Sequence, residues 1–215
     1  MKKILFVTAA AIAVVAAPAQ AANIIPGNVN VISWNGTEGQ LRANSGWENN
    51  STPSSVNSPV DGVLEPTSQQ WNNGSYWIDK FSPSNVQFNF DPYYSVFLTS
   101  TFTINRVVVQ ADDNDNYQLA YWDGSAWQDI FNAAAVGGFG LQTRDSGIIA
   151  PFTTNGFRVT MTGGDGYYAL SELQAFDTSG AVPEPATWAF MIMGFGAVGG
   201  AMRRKTRTCT KVSLA

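Results

Sequence analysis

Uncharged apolar runs stand at both ends of this 215-residue chain, and each is bounded by basic residues. At the start, Lys2 and Lys3 precede Ile4 to Ala17, and Ala19-Gln20-Ala21 supplies small residues where a signal peptidase cuts. This is the pattern of a secretory signal peptide over residues 1–21, handled by the Sec machinery and cleaved between Ala21 and Ala22. A buried N-terminal helix is the competing reading; the basic start and the Ala-x-Ala end favour the signal. At the other end, the 17 residues from Ala186 to Met202 carry no charge and stop at Arg203-Arg204-Lys205. As a helix they rise about 25 Å, close to the apolar thickness of a membrane. The basic stop is the end that stays cytoplasmic, with residues 208–215 as a short cytoplasmic tail. Both ends are therefore targeting devices, and the fold must be built from residues 22–182.

That middle segment is long enough for one domain with a sizeable core. It holds five bases (Arg42, Lys80, Arg106, Arg144, Arg158) against 15 acids, a net charge of −10. Such an imbalance repels phosphates, which argues against nucleic acid as a partner. The same carboxylates suit hard cations such as calcium. The only cysteine, Cys209, lies beyond the apolar run, so the exported part has no disulfide. Histidine is absent from the whole chain, which removes His-dependent triads and most zinc sites.

Residues 22–75, rich in Asn, Ser, Gly and Pro, read as long loops between short strands. Trp34, Trp47 and Trp71 lie within this stretch and argue against disorder. Val86 to Phe90 and Phe157 to Met161 alternate with period two, and Ile104 to Val109 is a β-branched run suited to a central strand. Tyr117, Leu119 and Tyr121 share one face of a strand that runs into Asp123-Gly124, a turn dipeptide, and the apolar pattern restarts at Trp127. No stretch keeps a 3.6-residue period over ten positions. The expectation is an all-β, antiparallel sandwich.

Two resemblances add to this. Pro183-Glu184-Pro185-Ala186-Thr187-Trp188-Ala189, with Gly194-Phe195-Gly196 and the Arg pair, resembles the PEP-CTERM sorting domain of Gram-negative bacteria. Two prolines around Glu184 are expected to hold the chain extended as a stiff handle ahead of the span, and the sorting signal with its transmembrane helix covers residues 183–207. The resemblance implies recognition and removal of the tail by an exosortase, in bacteria that make exopolysaccharide. Without it, a plain membrane anchor fits equally, with Gly194, Gly196, Gly199 and Gly200 as a close-packing face.

Residues 38–177 resemble the discoidin-like, galactose-binding-like modules. The likeness is carried by Val60-Asp61-Gly62, Trp71, the stretch from Val109 to Trp127, Gly140 to Arg144, Phe157-Arg158-Val159 and Gly163 to Leu173. It implies a jelly-roll β-sandwich with ligands bound on loops at one end. It also implies a structural calcium between Asp61 and Glu172. The alternatives are a salt bridge from Glu172 to Arg144 or Arg158, and a side-chain cap by Asp61 of its own turn. The cluster Asp112-Asp113-Asn114-Asp115 also invites a calcium reading. Counted from Asp113, however, Gln118 and Gly124 stand where an EF-hand needs Gly and Glu, which leaves a solvated polar turn.

For a sugar ligand, loop aromatics and hydrogen-bonding side chains are the resource, with Trp47, Trp71, Tyr76 and Arg144 as candidates. Trp122 and Trp127 flank a hairpin turn and are expected in core or rim packing. A glycosidase needs only two carboxylates, so composition does not exclude one, yet no Gly-x-Ser-x-Gly element is present. The sequence thus points to an exported, noncatalytic protein of the cell surface or matrix. Its expected partner is exopolysaccharide or another glycan. A purely structural adhesion protein and, less favoured, a carbohydrate-active enzyme are the rivals.

Overall fold

The computed structural model describes residues 21–38, 54–82, 84, 86–178 and 191–200. The chain divides into two units, Ala21–Ser179 and a second that contains the helical residues 191–200. Among the described residues nine strands build the first unit: β1 (Val29–Asn35), β2 (Thr37–Glu38), β3 (Tyr76–Asp79), β4 (Tyr93–Ala111), β5 (Asn116–Trp122), β6 (Trp127–Ala133), β7 (Gln142–Asp145), β8 (Phe152–Thr162) and β9 (Tyr167–Asp177). Every pairing is antiparallel. The all-β, antiparallel architecture expected from the sequence is the one that forms.

The 19-residue β4 organises the fold. Its first part, Tyr93 to Phe97, runs between β1 and β8. Its second part, Ile104 to Ala111, runs between β7 and β9. One strand thus belongs to two layers, β1-β4-β8-β5-β6 and β2-β3-β9-β4-β7. Between them lies a single core. Tyr94, Val96, Leu119, Phe157 and Val159 come from the first layer, and Tyr76, Ile78, Val107, Val109, Tyr168 and Leu170 from the second. Period-two alternation supplies these side chains, because successive residues of a strand point to opposite faces.

The Tyr117–Trp127 hairpin forms as expected. Asp123 receives four hydrogen bonds, from Ser125 N–H and O–H, Ala126 N–H and Gln128 Nε2, at 2.8 to 2.9 Å, and Gly124 takes φ +103°. These donors hold the Asp123 carboxyl well below the usual carboxylate range. Val86 to Phe90, in contrast, is not a strand. Among the described residues a single bridge, Phe81 to Gln87, forms there, and Phe88 stacks on Phe90 with centroids 4.8 Å apart. The segment folds back on residues 80–82, with the Ser82 N–H on the Val86 carbonyl and the Phe88 N–H on the Lys80 carbonyl, both at 2.8 Å, and so short a partner does not extend into a ladder.

Residues 191–200 are helical with every side chain exposed. Among the described residues no helix is long and apolar enough to cross a membrane. The rest of the Ala186–Met202 run, the signal segment 1–20, Trp47, the motif residues Pro183, Glu184 and Pro185, and the basic stop Arg203, Arg204 and Lys205 lie outside the described residues.

Candidate functional site

The Asp61–Gly62 loop ends a single 3₁₀ turn, Ser58–Val60, whose Pro59 and Val60 are buried. Asp61 Oδ1 accepts the Val63 N–H at 2.8 Å, so the side chain caps its own turn. Gly62 has φ +88°, and a Cβ there would stand 2.8 Å from Pro26 Cγ. Only glycine fits both the backbone angle and the space. β9 packs against this turn and places Glu172 at the junction, fully enclosed. Among the described residues neither carboxylate oxygen of Glu172 has a hydrogen-bond partner. The Gly62 N–H, Gln174 and Asn23 lie close enough to favour its charged form, without completing a bond. Burial first, then the charge of Asp61, push the Glu172 carboxyl up to about 8.

Two carboxylates thus lie near enough to feel each other's charge, and one of them is buried with no hydrogen-bond partner among the described residues. This donor set fits a hard cation that takes its remaining ligands from carbonyls or water. Among the described residues no third Asp, Glu, His or Cys joins them. Glu172 has no ion pair with either arginine weighed as its partner.

Arg144 is instead absorbed by backbone. It is 7% exposed, and its guanidinium donates to the carbonyls of Ala111 at 2.9 Å, Gln142 and Ala134 at 3.3 Å, and Asp112. The segment that it braces is not the solvated turn expected of Asp112–Asp115. Asp112 and Asp115 are both buried, and the Tyr117 hydroxyl donates to Asp112 Oδ1. The correction has a physical cause: a buried tyrosine and a buried arginine supply the polar partners that water otherwise provides. Burial and the neighbouring Asp115 charge raise the Asp112 carboxyl well above its ordinary range.

Tyr76 is also enclosed, with its ring edge-on to Trp34 at 5.7 Å and near Tyr94 at 6.2 Å. It has no free face on which a sugar stacks. Trp71 is half-buried against Trp77, with centroids 5.3 Å apart. The structure therefore brings Asp61 and Glu172 together, but does not gather Trp71, Tyr76 and Arg144 around one opening.

The accessible aromatic surface lies elsewhere, on the outer face of the β1-β4-β8-β5-β6 layer. Tyr94, Val96, Leu119, Phe157 and Val159 point into the core, so their strand neighbours Tyr93, Phe97, Trp122 and Arg158 point out. Trp127 joins them from β6, opposite Trp122. All five are partly exposed. The Arg158 guanidinium carbon lies 4.2 Å from the Tyr93 ring centre and 4.3 Å from that of Trp127. Trp122, Trp127 and Phe97 touch one another with centroids 5.4 to 6.4 Å apart. The sequence signal for this group was present: these residues are out of phase with the core pattern of their strands.

Residues 181–205 match the profile of the PEP-CTERM protein-sorting motif. The tail carries a PEP-CTERM sorting motif. A PEP-CTERM motif marks an exported protein, held at the membrane before processing. No curated protein matches the chain in sequence. Among solved structures, similar ones include chitosan-binding module 1 of a Paenibacillus sp. IK-5 chitosanase/glucanase (17% identity, TM-score 0.46, covering 72% of this chain and 98% of the module). The family 32 carbohydrate-binding module of C. perfringens NanJ, solved with galactose, is 11% identical (TM-score 0.44, 68% and 93%). That of AlyQ, solved with 4,5-unsaturated mannuronic acid, is 14% identical (TM-score 0.42, 73% and 97%).

Proposed function

We propose that this protein is an exported, exosortase-processed, noncatalytic component of the cell surface or extracellular matrix of a Gram-negative bacterium, and that it binds carbohydrate. The sorting motif supports the export and processing half of the reading. The observation that carries the binding half is the outer-face cluster. Three aromatic rings in contact, with a guanidinium held beside them, form an apolar platform with a hydrogen-bond donor at its edge. Stacking on aromatic faces with a few placed polar groups is how proteins hold sugars. The family resemblance implies a ligand on loops; the sheet face is favoured here because Tyr76 and Arg144 are enclosed. One calcium ion, held by Asp61 and Glu172, belongs to the proposal as a structural tie between the 3₁₀ turn and β9.

A glycan array, run with the purified protein in calcium and again in chelator, tests the reading. Binding to a subset of glycans is expected. A blank array under both conditions leaves the structural adhesion protein as the better account.

A further inference from the structure

Arg158 is the informative residue of the outer face. Its planar guanidinium contacts the Tyr93 and Trp127 rings and donates from Nε to Ser95 Oγ at 3.0 Å. Those contacts restrict its plane and leave Nη1 and Nη2 without hydrogen-bond partners among the described residues. No ion pair involves it there either. The two described ion pairs are Lys80–Asp91 and Arg106–Asp145. In a domain with 15 acids to five bases, a fixed arginine without a carboxylate is an unused anion site.

The acids nearest in the fold do not take that role. Asp129 sits across from Ala120, itself across from Arg158, so it is two strands away, roughly 10 Å. Asp123 is occupied by its own turn, and Asp91 by Lys80. An arginine fork matches a carboxylate in a bidentate pair, a geometry that neutral hydroxyls do not reproduce. The aromatic surface gathers Tyr93 and Phe97 from β4, Trp122 from β5 and Trp127 from β6, with the Phe97 and Trp127 ring centres 5.7 Å apart.

We propose that the outer face of this layer binds an acidic polysaccharide, with a uronate carboxylate on Nη1 and Nη2 of Arg158 and sugar faces stacked on Trp122 and Trp127. This rests on the carbohydrate-binding reading and narrows it to one face and one ligand class. The net negative domain repels a polyanion at long range. At physiological salt the screening length is about 8 Å, so the local guanidinium decides.

The test uses the full-length protein in detergent at physiological salt, with immobilised polygalacturonate and alginate against the neutral polymers dextran and galactan. Uronate polymers should bind and neutral ones bind at least tenfold more weakly. Arg158→Gln and Trp127→Ala should each lower uronate affinity tenfold or more, while Arg158→Lys, which keeps the charge and loses the fork, recovers only part. Unchanged uronate binding in Arg158→Gln overturns the proposal. So does equal binding of neutral polymers, and that result leaves the broader carbohydrate reading standing. Failure of every polymer removes both. A dimer that Trp127→Ala disperses, with no polymer bound, would assign the face to a second copy instead. Should the variants misfold by circular dichroism, tryptophan fluorescence of the native protein decides. Galacturonate should shift it, and an equal shift from galactose, or none from galacturonate, overturns the proposal.

Discussion

At the scale of single residues, Glu172 is the most consequential side chain, because its buried oxygens lack hydrogen-bond partners among the described residues. A buried carboxyl left this way costs stability unless a proton or a cation neutralises it. Calcium at a hundredfold excess over its dissociation constant should stabilise the fold by about 2.7 kcal/mol. Differential scanning calorimetry should record that as a rise of several degrees. Glu172→Gln should abolish the calcium response while leaving the protein folded. A variant that responds as the native protein does would place the ion, if any, elsewhere. Asp145 offers a pH test. Arg106 holds it by Nη2 to Oδ2 at 2.6 Å and by Nε to Oδ1 at 3.1 Å, which lowers its carboxyl below the ordinary range. A lowered carboxyl contributes stability above the ordinary carboxylate range and loses it as pH falls through the folded value. Asp145→Asn should therefore melt below the native protein at pH 7, with the gap closing in strong acid. The pair is half-exposed, so the difference should be small, roughly 0.2 to 1 kcal/mol.

Residue identities were only partly legible. Asp61 and Glu172 came from a family likeness, and no local pattern in the sequence announces that a loop residue meets one 111 positions later. Tyr76 and Arg144 have the composition of binding residues. What encloses them is the packing of Trp34 and Tyr94 on the one, and the carbonyls of Ala111, Asp112, Ala134 and Gln142 on the other.

At the scale of elements, alternation and turn chemistry carried most of the information. The β5–β6 hairpin was readable because Asp123-Gly124 dictates a turn between two strands already patterned for one core face. Val86 to Phe90 was misread because a strand needs a neighbour, and pairing is not encoded locally. The two-layer role of β4 was equally hidden: its length shows in the sequence as two separate apolar runs. One element-scale prediction follows from Gly156 on β8, which faces Phe97 on β4. A Cβ there would lie 2.7 Å from Phe97 Cε1 and 3.2 Å from Trp122 Cβ. No side chain occupies that space without moving the ring. Gly156→Val should cost about 1–3 kcal/mol, as overpacking does, and should weaken glycan binding by displacing Phe97 from the platform. Urea unfolding with a parallel binding titration separates the two effects, and unchanged midpoint and affinity would mean that Phe97 is free to move.

At the scale of the whole molecule, the folded unit and the tail have separable tasks. The acidic domain closes its own core, since one cluster includes residues from Ile25 to Ala175. The sorting motif at 181–205 follows it directly. Its chemistry is set by sequence alone: a carboxylate between two prolines, then an uncharged run, then Arg203, Arg204 and Lys205. Prolines on both sides carry no backbone N–H, leaving the Glu184 carboxylate as the one charged feature of the handle. A processing enzyme that reads this handle has that charge to recognise, whereas a passive anchor depends only on the apolar run and the basic stop. The two accounts therefore part at Glu184→Ala. Under processing, the variant should accumulate in the membrane fraction at full precursor length, seen by immunoblot against a tag within the exported domain, while the native protein shortens and leaves that fraction. Under simple anchoring, the variant and the native protein should migrate alike and stay together in the membrane, because neither hydrophobic length nor terminal charge has changed.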